Sequence, residues 1–383
     1  MKKPLLEVIY TDFKIRFKQE PLLVFSPGRI NIIGEHTDYN DGYVFPAAID
    51  KGIAAAIQKS ETDNCIAYAY DLNEAYEFSL NNIKPLENGG WRNYVIGVVA
   101  EIQKKSITVP PFNIVFGGNI PEGAGLSSSA ALENSIVYSL NELFNLGLSK
   151  SEMILISQKA EHNFAGVRCG IMDQYASMFG QKDHALLLDC RTQKATPFHI
   201  DFKDYQLLLI NTNVKHDLSE AAYNDRRHVC ETVSSLLKIP ALRDATASDL
   251  LKIKTQLSEE DYQKALYVIE ENDRALKAVE AMKANQLDQL GALLFGSHDG
   301  LQHQYHVSCP ELDFLVDFAK TDTHIIGARM MGGGFGGCTI NIVLKSALAE
   351  VQDTIAKNYK NKFNKDCSFY NVNLSQGTHV VTL

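Results

Sequence analysis

The strongest constraint on the fold is a glycine-rich turn between a strand and a helix, in residues 117–133 (GGNIPEGAGLSSSAALE). The apolar run before it, PFNIVF, predicts a strand, and the serines after it favour a helix that begins near Ser127 to Ser129. Gly123 and Gly125 let the backbone approach an anion closely, and a helix start presents free N–H groups and about half a positive charge. A glycine turn with one serine would be an ordinary helix cap. Three serines in series after two glycines favour a phosphate-binding loop.

A second glycine-rich segment, residues 330–340 (MMGGGFGGCTI), shares only its spacing with a dinucleotide-binding loop. Gly332, Gly334 and Gly337 satisfy G-x-G-x-x-G, but such a loop opens a helix, whereas the alternating run CTINIVL predicts a strand. We interpret the segment as a glycine turn that packs against another loop or closes over a ligand, with a ligand-free hairpin as the alternative. No Walker A sequence and no protein-kinase H-R-D or D-F-G sequence occurs in the chain, so these two nucleotide-binding classes are excluded.

Charged residues crowd into residues 28–40 (GRINIIGEHTDYN), at the end of a predicted buried strand. The three isoleucines of this stretch are core candidates, while Arg29 faces elsewhere and Glu35, His36 and Asp38 follow in a turn. Several donors and acceptors at a strand end suit a polyhydroxylated ligand. Metal ligation and a surface turn with solvated charges are the alternatives, and the stretch alone leaves the three interpretations about equal. The nearby Asp41 is expected to be solvated.

Two further acids are candidates for chemistry. Asp173 stands between apolar neighbours in GIMDQYASMFG (170–180), so it is either buried with a partner or placed for a substrate. Glu161 lies on the preceding predicted helix, which Ser149 and Glu152 begin with a capping box. Glu161 could ligate a metal ion, although its sequence context by itself favours a solvated helix acid.

The order of predicted elements indicates an α+β fold. Residues 21–80 read as strands broken by turns, which predicts a mainly antiparallel sheet, and residues 91–105 have the apolar spacing of one helix face. Lys-, Glu- and Leu-rich helical patterns between about 219 and 320 predict a second, more helical part. We expect domains 1–204 and 205–383, with the closing segment 368–383 able to pack back on the first domain.

Composition and charge argue against several classes of partner. The chain has 383 residues, 45% of them hydrophobic, with 37 basic and 46 acidic residues and a formal net charge of -9. No basic block is longer than a pair, so neither nucleic acid nor an anionic membrane is an expected partner. No run of apolar residues is long enough to predict a spanning helix, and the first residues lack the apolar core of a signal peptide. Seven scattered cysteines indicate reduced thiols, and we expect a cytoplasmic protein.

Three segments resemble, in order and in approximate separation, the three motifs of the galactokinases, a family within the GHMP small-molecule kinase superfamily. They are SPGRINIIGEHTDYNDGYVFPAAI, GNIPEGAGLSSSAALE and GARMMGGGFGGCTI. AEHNFAGVRCGIMDQYAS, YNDRRHVC and SHDGLQHQYHVSCPELD resemble further galactokinase segments, so the resemblance runs from about residue 20 to the end. The first motif separates galactokinases from mevalonate and homoserine kinases, which share the other two. The resemblance implies a two-domain GHMP kinase fold, with mixed and antiparallel sheets, packed helices and an active site between the domains.

The resemblance also implies an activity: ATP-dependent phosphorylation of the anomeric hydroxyl of α-D-galactose, the first phosphorylation step of galactose catabolism. The residues implied to lie at the sugar are Glu35, His36, Asp38, Gly170 and Tyr223. Asp173 would accept the hydroxyl proton or at least orient the hydroxyl. Arg29 would keep Asp173 ionised through its opposite charge and offset negative charge during transfer.

The nucleotide site is implied in the same way. The residues implied to cradle the phosphates are Gly123, Ala124, Gly125, Leu126, Ser127, Ser128 and Ser129, with Trp91 near the adenine. Ser129 and Glu161 would hold Mg²⁺. Because the loop has no lysine, Mg²⁺, Arg29 and the helix N-terminus would neutralise more of the negative charge of the phosphates.

Two other functions compete with this one. N-acetylgalactosamine kinases share most of these motifs but resemble the chain less in HTDYNDGYV, and some galactokinase-like proteins are sugar and ATP sensors that regulate transcription without catalysis. The sensors lack a Ser-Ala pair in the phosphate loop, which this chain retains as Ser129-Ala130. No obligate protein partner is indicated, and we expect a monomer.

Overall fold

The chain alternates between sheets and helices throughout, and a computed structural model describes residues 2–121, 123–215 and 219–383. The strands are β1 (Leu22–Asn31), β2 (Tyr43–Val44), β3 (Pro46–Lys59), β4 (Asn64–Ala69), β5 (Glu74–Ser79), β6 (Phe112–Gly118), β7 (His184–Asp189), β8 (Lys194–His199), β9 (Tyr205–Lys215), β10 (Ile325–Met330), β11 (Gly336–Leu344), β12 (Ser368–Asn371) and β13 (His379–Val380). The helices are α1 (Lys2–Phe17), α2 (Trp91–Gln103), α3 (Ser128–Phe144), α4 (Lys150–Ala160), α5 (Met172–Phe179), α6 (Ser219–Leu237), α7 (Ala247–Lys252), α8 (Glu259–Lys283), α9 (Leu287–His303), α10 (Pro310–Thr321) and α11 (Leu348–Phe363).

The strands form three sheets. A six-stranded sheet has the order β13-β1-β3-β6-β4-β5, a four-stranded sheet the order β10-β11-β9-β12, and a three-stranded sheet the order β2-β7-β8. Among the described residues, every strand pairing is antiparallel except that of β4 with β6. The α+β prediction and the mainly antiparallel first sheet are therefore confirmed, because antiparallel pairings dominate and helices pack on the sheets.

Apolar residues at and just after the end of β1 join the two halves of the molecule. Ile30, Ile32 and Ile33 are fully buried, as predicted, in one cluster with Leu209 of β9 and Ile340 of β11. Fully burying one such side chain contributes about 1.5–3 kcal/mol. This apolar contact places the end of β1 beside the four-stranded sheet.

The C-terminal segment touches both large sheets. β12 pairs with β9, whereas β13 pairs with β1, with Val380 opposite Val24. The two strands thus lie at the edges of different sheets. Beside β13, the fully buried Thr378 bonds the Ser26 hydroxyl at 2.9 Å.

Local helix signals are mostly confirmed. α2 begins at Trp91, and its predicted apolar face is buried. α4 begins with the predicted capping box of Ser149 and Glu152. No element was predicted for the first residues, which form α1 and pack Ile9 and Phe13 against the six-stranded sheet. Within the described part of the chain, no helix combines the length and the apolar character required to cross a membrane.

Candidate active site

A cavity of about 270 Å³ lies where β1, the start of α3, α5 and the turn between β10 and β11 meet. The predicted site residues that line it are Arg29, Glu35, His36, Asp38, Gly123, Gly125, Glu161, Asp173 and Tyr223. They come from segments nearly 200 residues apart in sequence. The fold thus brings most of the predicted site together around one space.

Arg29 and Asp173 form the centre of the cavity wall. The register of β1 shifts between Pro27 and Arg29, and such a bulge re-aims the side chain that follows it. Arg29 Nε and Nη2 donate to the two oxygens of Asp173 at 2.8 and 2.9 Å, and Nη1 donates to the carbonyl of Gly125 at 2.6 Å. Ser127 also donates to Asp173. The pair therefore connects the first strand, the glycine loop and the start of α5.

The glycine loop has the form of an anion site. Gly123 and Gly125 have φ values of 66° and 69°, which favour glycine. α3 begins at Ser128, as predicted, but the Ser127 side chain does not cap it. The N–H groups of the first helical turn are thus left without that cap, and they point towards the loop. The side chains of Ala124 and Leu126 are buried in the core, so only the backbone of these two residues can serve the loop.

The second glycine segment packs against this loop. A Cβ at Gly337 would lie 3.1 Å from the carbonyl of Gly123, and one at Gly332 would lie 3.4 Å from Gly125 Cα. The segment leads into β11 and not into a helix. The interpretation as a packing turn is therefore confirmed, and close backbone approach is the reason for its glycines.

Glu161 was expected, from sequence context, to be a solvated acid, and this is wrong. It is 7% exposed, and it begins a π-helical turn (Glu161–Ala165) that continues α4. Its Oε1 accepts a hydrogen bond from Ser129 Oγ at 3.0 Å, and its Oε2 accepts one from Gln174 at 2.8 Å. Burial and the nearby Asp173 carboxylate raise the pKa of Glu161 to about 7. π-turns recur at functional sites, where they re-aim a side chain.

The oxygens around Glu161 suit Mg²⁺. Burial and the neighbouring Glu161 raise the pKa of Glu133 well above its usual value, and Glu133 Oε1 has no hydrogen-bond partner among the described residues. Glu133, Glu161 and Asp173 lie close enough to interact electrostatically, so a divalent ion at Ser129 and Glu161 would offset their combined negative charge. Within the described ranges no three His, Cys, Asp or Glu side chains converge as metal ligands. An Mg²⁺ ion here would take its other ligands from phosphate and water.

The turn between β1 and β2 (residues 32–42, the β1–β2 turn) carries the predicted sugar ligands. Glu35 accepts a hydrogen bond from Arg329 Nη1 at 2.7 Å, and both side chains are buried. His36 adopts a left-handed backbone, with φ of 62°, and its Nδ1 lies 2.9 Å from the Tyr39 hydroxyl. Burial and the charge of Arg226 lower the pKa of His36 to about 3, so its imidazole is neutral.

Asp38 and Tyr223 line the cavity, and Gly170 is in contact with Asp38. Burial and the charges of Asp173 and Glu35 raise the pKa of Asp38 to about 7. Gly170 does not line the cavity. It lies behind Asp38, where any added Cβ would overlap the carboxylate. The Tyr223 ring lies 5.5 Å from the His36 ring, between centroids.

Trp91 and Asp41 lie outside the cavity. Trp91 Nε1 donates to Glu74 at 3.0 Å, and its ring packs edge-on against Phe116, the strand residue that leads towards the glycine loop. Ser128, at the helix start, is exposed and does not line the cavity. The Asp41 side chain is 43% exposed, as expected for a solvated acid, and it also accepts a hydrogen bond from Arg191 at 3.2 Å.

Sequence reasoning missed several residues that hold the site. Arg329 lies in the third motif, where a single arginine in an apolar strand was an available signal. Gln174 directly follows Asp173 and bonds Glu161. Glu271 accepts hydrogen bonds from the backbone N–H groups of Gly34 and Glu35, yet in sequence it resembles the solvated acids of a charged helix.

The chain matches three family models: "Galactokinase galactose-binding signature" over residues 11–59, "GHMP kinases N terminal domain" over 93–181 and "GHMP kinases C terminal" over 278–361. A galactokinase of Lactococcus lactis, solved in complex with galactose, superimposes with a TM-score of 0.94 and 32% identity, covering 98% of this chain and 100% of that one. The mevalonate kinase of Methanococcus jannaschii shares the fold, with a TM-score of 0.65 and 19% identity, covering 94% of this chain and 100% of that one.

Curated relatives match over nearly the full length. A galactokinase of Thermotoga petrophila is 42% identical over 358 residues, which are 94% of this chain and 99% of the relative. A galactokinase of Glaesserella parasuis is 41% identical over 387 aligned positions, covering 99% of this chain and 100% of the relative. The chain therefore belongs to the galactokinase family of the GHMP kinases.

Proposed function

We propose that this protein transfers the γ-phosphoryl group of ATP to the anomeric hydroxyl of α-D-galactose, giving galactose 1-phosphate. The observation that carries the proposal is the Arg29–Asp173 pair, whose arginine also bonds the glycine loop. Arg29 therefore contacts both the carboxylate that would accept the hydroxyl proton and the backbone of the loop that would bind phosphate. Phosphoryl transfer asks a protein mainly to align donor and acceptor and to neutralise spreading charge.

Asp173 would orient the sugar hydroxyl and receive its proton as the bond to phosphorus forms. Its two oxygens accept hydrogen bonds from Arg29 at 2.8 and 2.9 Å, which fixes the orientation of the carboxylate towards the hydroxyl. The Arg29 guanidinium and the N–H groups at the start of α3 would offset negative charge on the transferred group. Asp38, Glu35 and the neutral His36 would bond the other sugar hydroxyls.

Ser129 and Glu161 would hold Mg²⁺ together with phosphate oxygens of the nucleotide. The ion would supply charge neutralisation at the phosphates when bound. Trp91 would contribute to the adenine side of the nucleotide, with Ser127 and Ser128 at the phosphates. These assignments extend the family resemblance to named side chains of this chain.

A coupled assay for ADP release tests the proposed function. Galactose, N-acetylgalactosamine, glucose and no sugar would each be supplied with ATP and Mg²⁺. We expect ADP release with galactose at least about tenfold faster than with N-acetylgalactosamine, a difference of about 1.4 kcal/mol in transition-state binding. Faster release with N-acetylgalactosamine would reassign the substrate, and binding of both ligands without ADP release would indicate a sensor.

We also propose domains 1–204 and 205–383, with residues 368–383 serving both. The interval between β8 and β9, residues 200–204, separates the three-stranded sheet from the first strand of the four-stranded one. Limited proteolysis followed by mass spectrometry would test this boundary. We also propose a monomer, to be tested by light scattering. All seven cysteines are free, which supports a cytoplasmic location.

A further inference from the structure

The β1–β2 turn is fastened at both ends to one helix of the second half of the chain. Gly34 N and Glu35 N both donate to Glu271 Oε1, at 2.9 and 3.3 Å. Tyr43 N, directly after the turn, donates to Asn272 Oδ1 at 2.8 Å. Glu271 and Asn272 are neighbours on α8. The helix thus fixes the distance between the two ends of the turn.

Glu271 is a fully buried carboxylate with a complete set of donors. Besides the two backbone N–H groups, Ser297 Oγ donates to Oε1 at 2.7 Å and Arg274 Nε donates to Oε2 at 2.6 Å. Hydrogen bonds to an ionised acceptor are about twice as strong as neutral ones. A buried carboxylate that accepts this many hydrogen bonds therefore holds the backbone N–H groups bonded to it in a fixed position.

The same helix holds the turn at a third atom. The Tyr267 hydroxyl, one helical turn before Glu271, donates to the carbonyl of Glu35 at 3.0 Å. Both the N–H and the carbonyl of Glu35 are thus bonded to α8. His36 follows with its left-handed backbone, a conformation that persists in a non-glycine residue only when its surroundings impose it.

We propose that Glu271 is a positioning residue for the sugar: through the backbone of Gly34 and Glu35, it keeps Glu35, His36 and Asp38 in the arrangement that binds a polyhydroxylated ligand. Glu271 does not line the cavity, so it acts without touching the ligand. The inference rests on the proposed function and adds to it a residue from the other half of the chain.

Hydrogen exchange tests the anchoring without any substrate. We expect Glu271→Gln, and more strongly Glu271→Ala, to speed exchange of amides 34–36 at least about tenfold, because the N–H groups lose a charged acceptor. Amides of the glycine loop, 123–131, should be unchanged. Glu270→Gln is the matched control, since Glu270 is the adjacent residue on α8 and is 41% exposed. Unchanged exchange at 34–36 in Glu271→Ala would overturn the proposal.

Steady-state kinetics test the consequence for the sugar. We expect Glu271→Gln to raise the KM for galactose about tenfold or more while the KM for ATP stays within about twofold, and Glu271→Ala to have the larger effect. Equal increases in both KM values would overturn the proposal, because they indicate general loosening. If Glu271→Gln does not fold, Tyr267→Phe removes one hydroxyl from the same helix and is held to the same two readouts. A parent chain that phosphorylates no sugar would overturn the proposed function, and exchange would still decide whether Glu271 holds the turn.

Discussion

Arg29 and Asp173 form a bidentate ion pair in which the two partners are unequally buried. The arginine side chain is 5% exposed, whereas the aspartate side chain is 25% exposed and faces the cavity. The cation therefore acts as a fixed support, and the carboxylate remains accessible to a ligand. Planar guanidinium geometry gives the carboxylate a defined orientation as well as a charge partner.

Replacing Asp173 with asparagine tests this arrangement. We expect Asp173→Asn to lower kcat about 100-fold or more, because an amide cannot accept the hydroxyl proton and offers Arg29 a single oxygen. Galactose binding, measured by calorimetry, should be retained. Asp183→Asn, at an exposed loop position, is the control and should keep the parental kcat. A kcat of Asp173→Asn within about tenfold of the parent, about 1.4 kcal/mol, would contradict the base assignment.

Gly170 supplies a steric test of the sugar site. The Cβ of Gly170→Ala would overlap the Asp38 carboxylate, which must then move. We expect the KM for galactose to rise about 10- to 100-fold, the equivalent of one lost hydrogen bond to a charged group at about 1.5–3 kcal/mol. Gly296→Ala is the matched control. Gly296 lies within α9, and a Cβ added there would be 3.9 Å from its nearest atom, Cδ of Arg274 on α8. Gly296→Ala should keep the parental KM for galactose and gain up to about 1 kcal/mol of stability. An unchanged KM for galactose in Gly170→Ala would count against Asp38 as a sugar ligand.

Glu161 links stability to pH. Its pKa is about 7 in the folded protein, against an ordinary value of 4.5, so between these values the folded state holds a proton that the unfolded chain has released. This group's contribution to stability therefore falls as pH rises from about 4.5 to 7 and is constant above that range. In the absence of Mg²⁺ and nucleotide, we expect the Tm of Glu161→Gln minus that of the parent to increase between pH 5 and 7.5.

A second glutamate provides the control for that measurement. A hydrogen bond from the Ser149 backbone, aided by Lys105, lowers the pKa of Glu152 to about 2, so Glu152 is ionised in the folded state throughout this pH range. The Tm difference between Glu152→Gln and the parent should therefore stay nearly constant from pH 5.5 to 7.5. A flat difference for Glu161→Gln as well would show that Glu161 does not titrate near neutrality.

Arg329 should be essential for stability as well as for the site. It is fully buried and pairs with the buried Glu35, so Arg329→Met would leave a carboxylate without its cation. We expect a loss of about 3–5 kcal/mol in the free energy of unfolding, measured with urea. Lys252→Met is the control, because Lys252 is 70% exposed in its pair with Asp249 and should cost less than about 1 kcal/mol. Similar losses for the two variants would contradict a structural role for the buried pair.

Local patterns predicted much of the site. The glycines of the loop, the start of α3 and the buried isoleucines at and just after the end of β1 follow from rules that act within a few residues: φ preference, helix initiation and strand alternation. The capping box of α4 is another such case. The motif order then connected these segments to one family. Those inferences did not require any knowledge of which residues meet across the fold.

The burial of charged groups could not be predicted in this way. Glu161, Glu270 and Glu271 are all helix acids in mixed-charge surroundings, yet the first and third are buried and the second is partly exposed. Which acid is buried depends on what packs against that face of the helix from distant parts of the chain. The placement of the two C-terminal strands could not be predicted for the same reason, since two short strands give no signal for which sheet each will join.

The sequence by itself determined the family, the phosphate loop and the identity of the acids and the arginine that face the cavity. These features lie in short motifs whose conformation depends on residues close together in the chain. Only the tertiary structure decided that Glu271 and Arg329 hold the β1–β2 turn, that Gly170 gives room to Asp38 and that Asp41 is paired. The physical reason is that desolvation, close approach and charge pairing depend on distances between residues far apart in the chain, and these distances exist only after folding.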